Sequence, residues 1–160
     1  YKQYEIAGFK VFVLPTSHDA ENSVGFVFDD GGESLVYMTD TGYISDRNIE
    51  YMKNKNYYII ESNHNERMLL QTNRPYDLIQ RILGDKGHLS NEASAHYVSE
   101  MVGPQTKDII LAHISEEANT PEVATAAFHK ILLRKNIDTS LLNIKAARQW
   151  QVVKGGNFDD

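Results

Sequence analysis

Three short apolar stretches stop abruptly at residues able to bind a metal ion or move a proton. Val11 to Leu14 leads through Pro15, Thr16 and Ser17 to His18 and Asp19, Ser34 to Met38 leads through Thr39 to Asp40, and Ile109 to Ala112 leads to His113. A strand end holds a side chain rigidly while the loop beyond it leaves access, so functional groups collect there. The chain contains no cysteine, which excludes disulfides and thiolate sites. Any transition metal must then be held by imidazole and carboxylate, a ligand set that suits zinc, iron or manganese. Taken singly, a histidine or aspartate after a strand is more often a cap or a surface group than a ligand. It is the recurrence of one design that marks out His18, Asp40 and His113.

Other patterns carry less. Ser17-His18-Asp19 has the residue types of a hydrolase triad, but neighbours in an extended segment point in alternate directions and cannot form a relay. Gly31-Gly32 and Gly155-Gly156 lack the strand-glycine-helix context of a phosphate-binding loop. Glu116-Glu117 reads as the acidic start of a loop. His96 and His129 fall inside predicted helices and receive no role.

The positioning elements alternate in type. Gly8 to Leu14, Val24 to Phe28 and Ser34 to Thr39 are short β-branched or aromatic runs of strand type, with Asp29-Asp30-Gly31-Gly32 as a hairpin signal. Ser45 to Lys53 predicts a short capped helix, and Tyr57 to Glu61 a return to strand. Helical patterns follow at Met68 to Leu70, Pro75 to Leu83 and Ser90 to Met101. Asp108 to Ala112 reads as a buried strand, Thr120-Pro121-Glu122 as the start of a helix reaching about Lys135, and a last strand is expected within Asn143 to Val153. The pattern predicts one mixed α/β unit.

At 160 residues, 41% hydrophobic and 24% charged, the chain has the composition of an ordinary globular protein. No apolar run approaches the roughly 20 residues of a membrane-spanning helix, so no membrane partner is expected. The net charge of -6 disfavours broad electrostatic capture of a phosphate backbone, so a nucleic-acid substrate would have to be held locally, by metals. The chain opens on Tyr1 with neither a basic segment nor an apolar signal core, and is expected to be cut from the interior of a longer, cytoplasmic protein.

Five segments, in order, resemble the metallo-β-lactamase superfamily, most closely its bacterial WalJ/YycJ-type branch of predicted nucleases. They are SHDAENSVGF at Ser17 to Phe26, YMTDTGYIS at Tyr37 to Ser45, ESNHNERML at Glu61 to Leu69, GHLSNEASA at Gly87 to Ala95, and LAHISEEANTPEVA at Leu111 to Ala124. The resemblance implies the carboxyl-terminal part of a four-layer αββα sandwich, a mixed sheet with outer helices, whose amino-terminal part is missing. Residues 1–160 would form a single partial domain, with its last strand able to return to the other sheet. Such a half would expose a sheet face and could associate as a homo-oligomer.

The same resemblance implies a site. His18 would ligate one divalent metal, His113 a second, and Asp40 would bridge the two, with zinc or manganese expected. Glu61 and His88 look like the proton-donor pair of the RNA-processing relatives, in which a carboxylate orients an imidazolium that protonates an alkoxide leaving group. His64, in the same turn as Glu61, could line the pocket, cap a helix or lie on the surface. The family's His-x-His-x-Asp-His motif occurs nowhere in the chain, so each ion would have one terminal ligand plus the bridge. The resemblance thus implies a metal-dependent phosphodiesterase acting on DNA or RNA when the site is completed, and inactivity otherwise. An ester or thioester hydrolase of the same fold, or a non-catalytic binding module, are the alternatives.

Overall fold

The computed structural model describes residues 1–156. Seven strands form one sheet in sequence order: β1 (Lys2–Ile6), β2 (Phe9–Pro15), β3 (Val24–Asp29), β4 (Ser34–Met38), β5 (Tyr57–Glu61), β6 (Asp108–Ala112) and β7 (Asn143–Ala146). The first four make an antiparallel meander, and β4 to β7 pair in parallel. Parallel neighbours require crossovers, and helices supply them. These are α1 (Asp46–Met52), then α2 (Glu66–Leu70), α3 (Tyr76–Leu83) and α4 (Asn91–Met101), then α5 (Pro121–Arg134).

Local chemistry sets these boundaries. Ser45, Asn65, Ser90 and Thr120 each accept a hydrogen bond from a first-turn backbone N–H of the helix they precede, and Pro121 occupies the first turn of α5, where its missing N–H is harmless. Between β3 and β4, Asp29 and Asp30 accept bonds from the N–H groups of Gly31 and Gly32, and Gly31 takes the left-handed φ of 89° that the turn requires.

Period-two alternation sorts the sheet into two faces. One face carries Leu14, Val27, Val36, Met38, Tyr58, Ile60, Ile109 and Leu111, all buried against Met52 of α1, Val98 and Met101 of α4, and Phe128 and Leu132 of α5. The other carries Phe26, Phe28, Leu35, Ile59 and Ile110, which are only half-buried, and Tyr37, which is exposed. This second apolar face is the one expected of half a sandwich. Helices α2 and α3 stand apart on a small cluster of Leu69, Ile79, Ile82 and Ala118.

Two features depart from expectation. Strand β1 was not anticipated, since KQYEI is exposed throughout and lacks a buried face to impose a pattern. The last strand does not return to another sheet: β7 joins β6 in parallel, with Leu111 opposite Ala146, because α5 carries the chain back along the same buried face.

Candidate metal centre

Sheet direction places the site. Strands β2, β4, β5 and β6 all run the same way, since β2 reaches β4 through two antiparallel pairings and the others are parallel. Their carboxyl ends share one edge, where α/β sheets bind ligands. His18, Asp40, Glu61 and His113 follow or end these four strands. A cavity of about 690 Å³ opens there, lined by His18, Asp40, His88 and His113.

Backbone bonds sew the contributing loops together. Gly42 N–H donates to Ser17 C=O at 2.8 Å and Ser17 N–H to Thr41 Oγ1 at 3.0 Å, which fixes His18 beside Asp40. Asp40 and His113 both hold left-handed backbone, with φ of 56° and 55°. Aspartate and histidine tolerate that region better than most residues, and such conformations persist where the surroundings over-determine them. Asn63 contributes to that constraint at His113: its side-chain amide donates to His113 C=O at 2.8 Å, and its own C=O accepts from Ser115 N–H at 2.8 Å.

His88 arrives from the loop between α3 and α4. Asn63 N–H donates to Leu89 C=O, and Asn91 N–H to His64 C=O, so this loop is paired to the end of β5. Gly87 is required there, because a Cβ would collide with the carbonyl oxygens of Ile82 and Arg81. That close approach accounts physically for a glycine before the histidine.

Glu61 organises the cluster. Its carboxylate is fully buried and accepts four hydrogen bonds: Oε1 from Nδ1 of His113 at 2.6 Å and of His88 at 2.8 Å, Oε2 from the N–H of Thr41 at 3.0 Å and of Leu89 at 3.2 Å. Burial alone would raise its pKa, but the bonds from His113 and His88, with the Thr41 N–H, hold it down to about 2. Reciprocally, the bond to Glu61 raises the pKa of His113. With all its acceptor positions used, Glu61 orients imidazoles rather than offering a ligand atom, although it lies within 4.8 Å of the donor atoms of Asp40, His88 and His113. Both rings then present Nε2 outward, the arrangement by which a carboxylate fixes the tautomer of a metal-binding histidine.

The remaining donors fit a cation. His18 Nδ1 is 3.2 Å from Gly87 C=O, which turns Nε2 toward the carboxylates of Asp19, at 3.5 Å, and Asp40. Asp40 Oδ1 is 3.8 Å from His18 Nε2, too far for a hydrogen bond, and 3.8 Å from His113 Nδ1, the nitrogen that Glu61 already holds; Asp40, Glu61, His88 and His113 offer ligand atoms within 4.8 Å of one another, and His18 stands next to that group. The rings of His18, His88 and His113 follow in a row, with centroids 5.0 and 5.1 Å apart.

The structure therefore brings together five of the six residues singled out in the sequence. His64 stands apart: it is 1% exposed, is not among the cavity-lining residues, and lies 3.3 Å from Asn63 Oδ1 through Nδ1. Desolvation lowers its pKa to about 4. Sequence reasoning missed the sharing of Glu61 between His88 and His113, and missed the buried amides. Asn119 donates to the C=O of Ser62 and Asn63 and pairs reciprocally with Asn91, which accepts from Ser62 Oγ at 2.6 Å. These asparagines sit within the quoted segments, but a buried amide and a loop cap look alike in sequence.

Residues 2–114 match the model of a family described as the beta-lactamase superfamily domain. The chain belongs to the metallo-β-lactamase superfamily. Superfamily relatives include an exodeoxyribonuclease YycJ of Bacillus anthracis, 37% identical over 119 residues, covering 74% of this chain and 45% of that protein. An exodeoxyribonuclease WalJ of Streptococcus pneumoniae serotype 2 is 43% identical over 108 residues, covering 68% of this chain and 40% of that protein. Among solved structures, the metallo-beta-lactamase fold protein YhfI of Bacillus subtilis aligns with a TM-score of 0.65 at 16% identity, over 92% of this chain and 49% of that one. A diphosphatase of the PhnP family aligns at 0.54 and 15% identity, over 89% and 42%. The chain thus spans less than half the length of these superfamily members. No helix among the described residues is long and apolar enough to cross a membrane.

Proposed function

We propose that this chain carries one half of the catalytic centre of a cytoplasmic metal-dependent phosphodiesterase that cleaves DNA or RNA, DNA being favoured by the names of its relatives. The observation that carries the reading is the gathering of ligand atoms of Asp40, His88 and His113 within 4.8 Å around buried Glu61, with His18 Nε2 3.8 Å from Asp40. In this reading His18 and His113 would each hold one of two divalent ions, zinc or manganese, and Asp40 would serve both. Bound there, such ions favour attack by water near neutral pH and neutralise charge on a scissile phosphate.

The chain's own residues do the rest. Glu61 holds the rings of His88 and His113 through Nδ1, so that His88 Nε2 faces the cavity and can deliver a proton to a departing alkoxide. One terminal ligand per ion is too few for tight binding, so turnover requires the histidines and aspartate of a His-x-His-x-Asp-His motif from outside this chain.

The test compares a longer protein carrying this chain and that motif with the 160-residue chain alone. Both are loaded with zinc or manganese and offered a bis-aryl phosphate, a single-stranded oligonucleotide and a thioester. Cleavage of the phosphodiesters by the longer protein alone is expected. Turnover of the thioester only would favour the small-molecule hydrolase and overturn the proposal, and no stoichiometric metal in either protein would favour a non-catalytic module.

A further inference from the structure

The turn that follows β7 takes no part in the ligand cluster, yet it opens on the same cavity. The parallel register sets Ala146 opposite Leu111, and Ala147 N–H donates to Leu111 C=O at 2.8 Å. The chain beyond β7 is thereby carried to the edge at which His113 follows β6, and Arg148 and Gln149 line the cavity with it. A bond from Gln151 N–H to Arg148 C=O closes the turn, and Trp150 at its apex is 83% exposed. Trp150 is not itself a lining residue but directly follows two that are, and so exposed a tryptophan offers a large flat apolar face to a ligand that leaves the cavity.

The cavity wall carries charge of both signs: Arg74, Arg81, Lys86 and Arg148 line it beside Asp40, Glu116 and Glu117, and Arg74 pairs with Glu117 and Arg81 with Asp19. Of the arginines there, Arg148 is the one that adjoins the turn after β7. Arg148 pairs with Glu122 at 2.7 Å, but both side chains are more than half exposed. Such a pair contributes little and is readily exchanged for a phosphate.

We propose that Arg148 and Trp150 form a seat for one unpaired nucleotide at the mouth of the site. Arg148 takes the phosphate next to the one held at the metal centre, and the indole of Trp150 stacks on the base that leaves the cavity. Stacking of this kind accepts any base but needs its face free, so the seat selects single-stranded or frayed ends over closed duplex. The inference deepens the phosphodiesterase reading and rests on it.

Trp150 is the only tryptophan in the sequence, so fluorescence excited selectively at the indole, sparing the nine tyrosines, reports on this seat alone. The test uses the 160-residue chain, first shown by urea unfolding to be folded, in excess zinc, where it is not expected to cleave, titrated with a short oligothymidylate. Saturable quenching is expected, with no change on adding an abasic strand of equal charge. By anisotropy of a labelled strand, Trp150→Ala should weaken binding about tenfold, within the range for one stacked base, while Trp150→Phe retains most of it. Arg148→Ala should make binding less salt-dependent. Unchanged emission at a saturating concentration of strand, or equal affinity of Trp150→Ala and the parent, overturns the seat. Cleavage of the strand by the metal-loaded longer protein together with unchanged emission overturns the seat while sparing the phosphodiesterase reading. Quenching without any cleavage supports the seat and counts against the reaction alone.

Discussion

Glu61 Oε1 accepts from Nδ1 of His113 at 2.6 Å, so the buried end of β5 fixes the ring that stands at the end of β6. The same carboxylate bonds His88 and two backbone N–H groups. Glu61→Gln tests this arrangement, because an amide can accept on one side only. Its NH₂ must face either the two backbone donors or the two imidazoles. We expect metal affinity to fall about 10- to 100-fold, as when a carboxylate behind a metal-binding histidine is lost. Stability should fall by about 1–3 kcal/mol through the unsatisfied buried groups. Competition with a chromophoric chelator and denaturant unfolding measure the two effects; an unchanged metal affinity would remove Glu61 from the site.

The three ligand positions make distinct predictions for metal content. If His18 and His113 serve different ions and Asp40 serves both, His18→Ala and His113→Ala in the longer protein should each lower the metal content by about one ion. Asp40→Ala should lose both, and should also strain a backbone held at φ 56°. Elemental analysis after gel filtration decides this. Full retention of two ions by the Asp40 variant would rule out the bridge.

Much of this site was legible because the three positions share a local signal, an apolar run ending in a ligating residue. Strand direction then places them together, since β2, β4, β5 and β6 all run toward one edge. The Glu61 to His88 pairing came from a resemblance of segments, not from spacing: 27 residues and two helices separate the pair. What escaped was long-range. Nothing near Glu61 in sequence says that His113, 52 residues away, shares its carboxylate. Exposed β1 gave no periodic burial to read, and β7 could be located but not assigned to a sheet, because its four residues are too few to show which neighbour they meet.

Asn119 is predicted to be structural and to act on the site through Asn63. Its side chain donates to the C=O of Ser62 and Asn63 and to Asn91, and accepts from Asn91 and from Thr120 N–H, all in a buried setting. Asn119→Ala should cost about 1–3 kcal/mol, the range for a buried polar partner left unsatisfied. Because Asn63 holds His113 C=O, turnover should fall more than substrate binding does. A variant as stable as the parent by urea unfolding would show that water replaces the amide.

His64 should make the metal-free chain sensitive to mild acid. Desolvation lowers its folded pKa to about 4 from the ordinary 6.5, so the folded state keeps the ring neutral while the unfolded chain takes up a proton below 6.5. The unfolded state then binds more protons, and stability falls as pH drops from about 6.5 toward 4, by on the order of 3 kcal/mol in all. Glu61 acts lower, since a folded pKa of about 2 makes its contribution fade only as pH falls below 4.5. His64→Gln should flatten the first interval and leave the second. Urea unfolding at pH 7, 5.5 and 4.5 separates them, and a parallel pH dependence in parent and variant would show that His64 is not the titrating group.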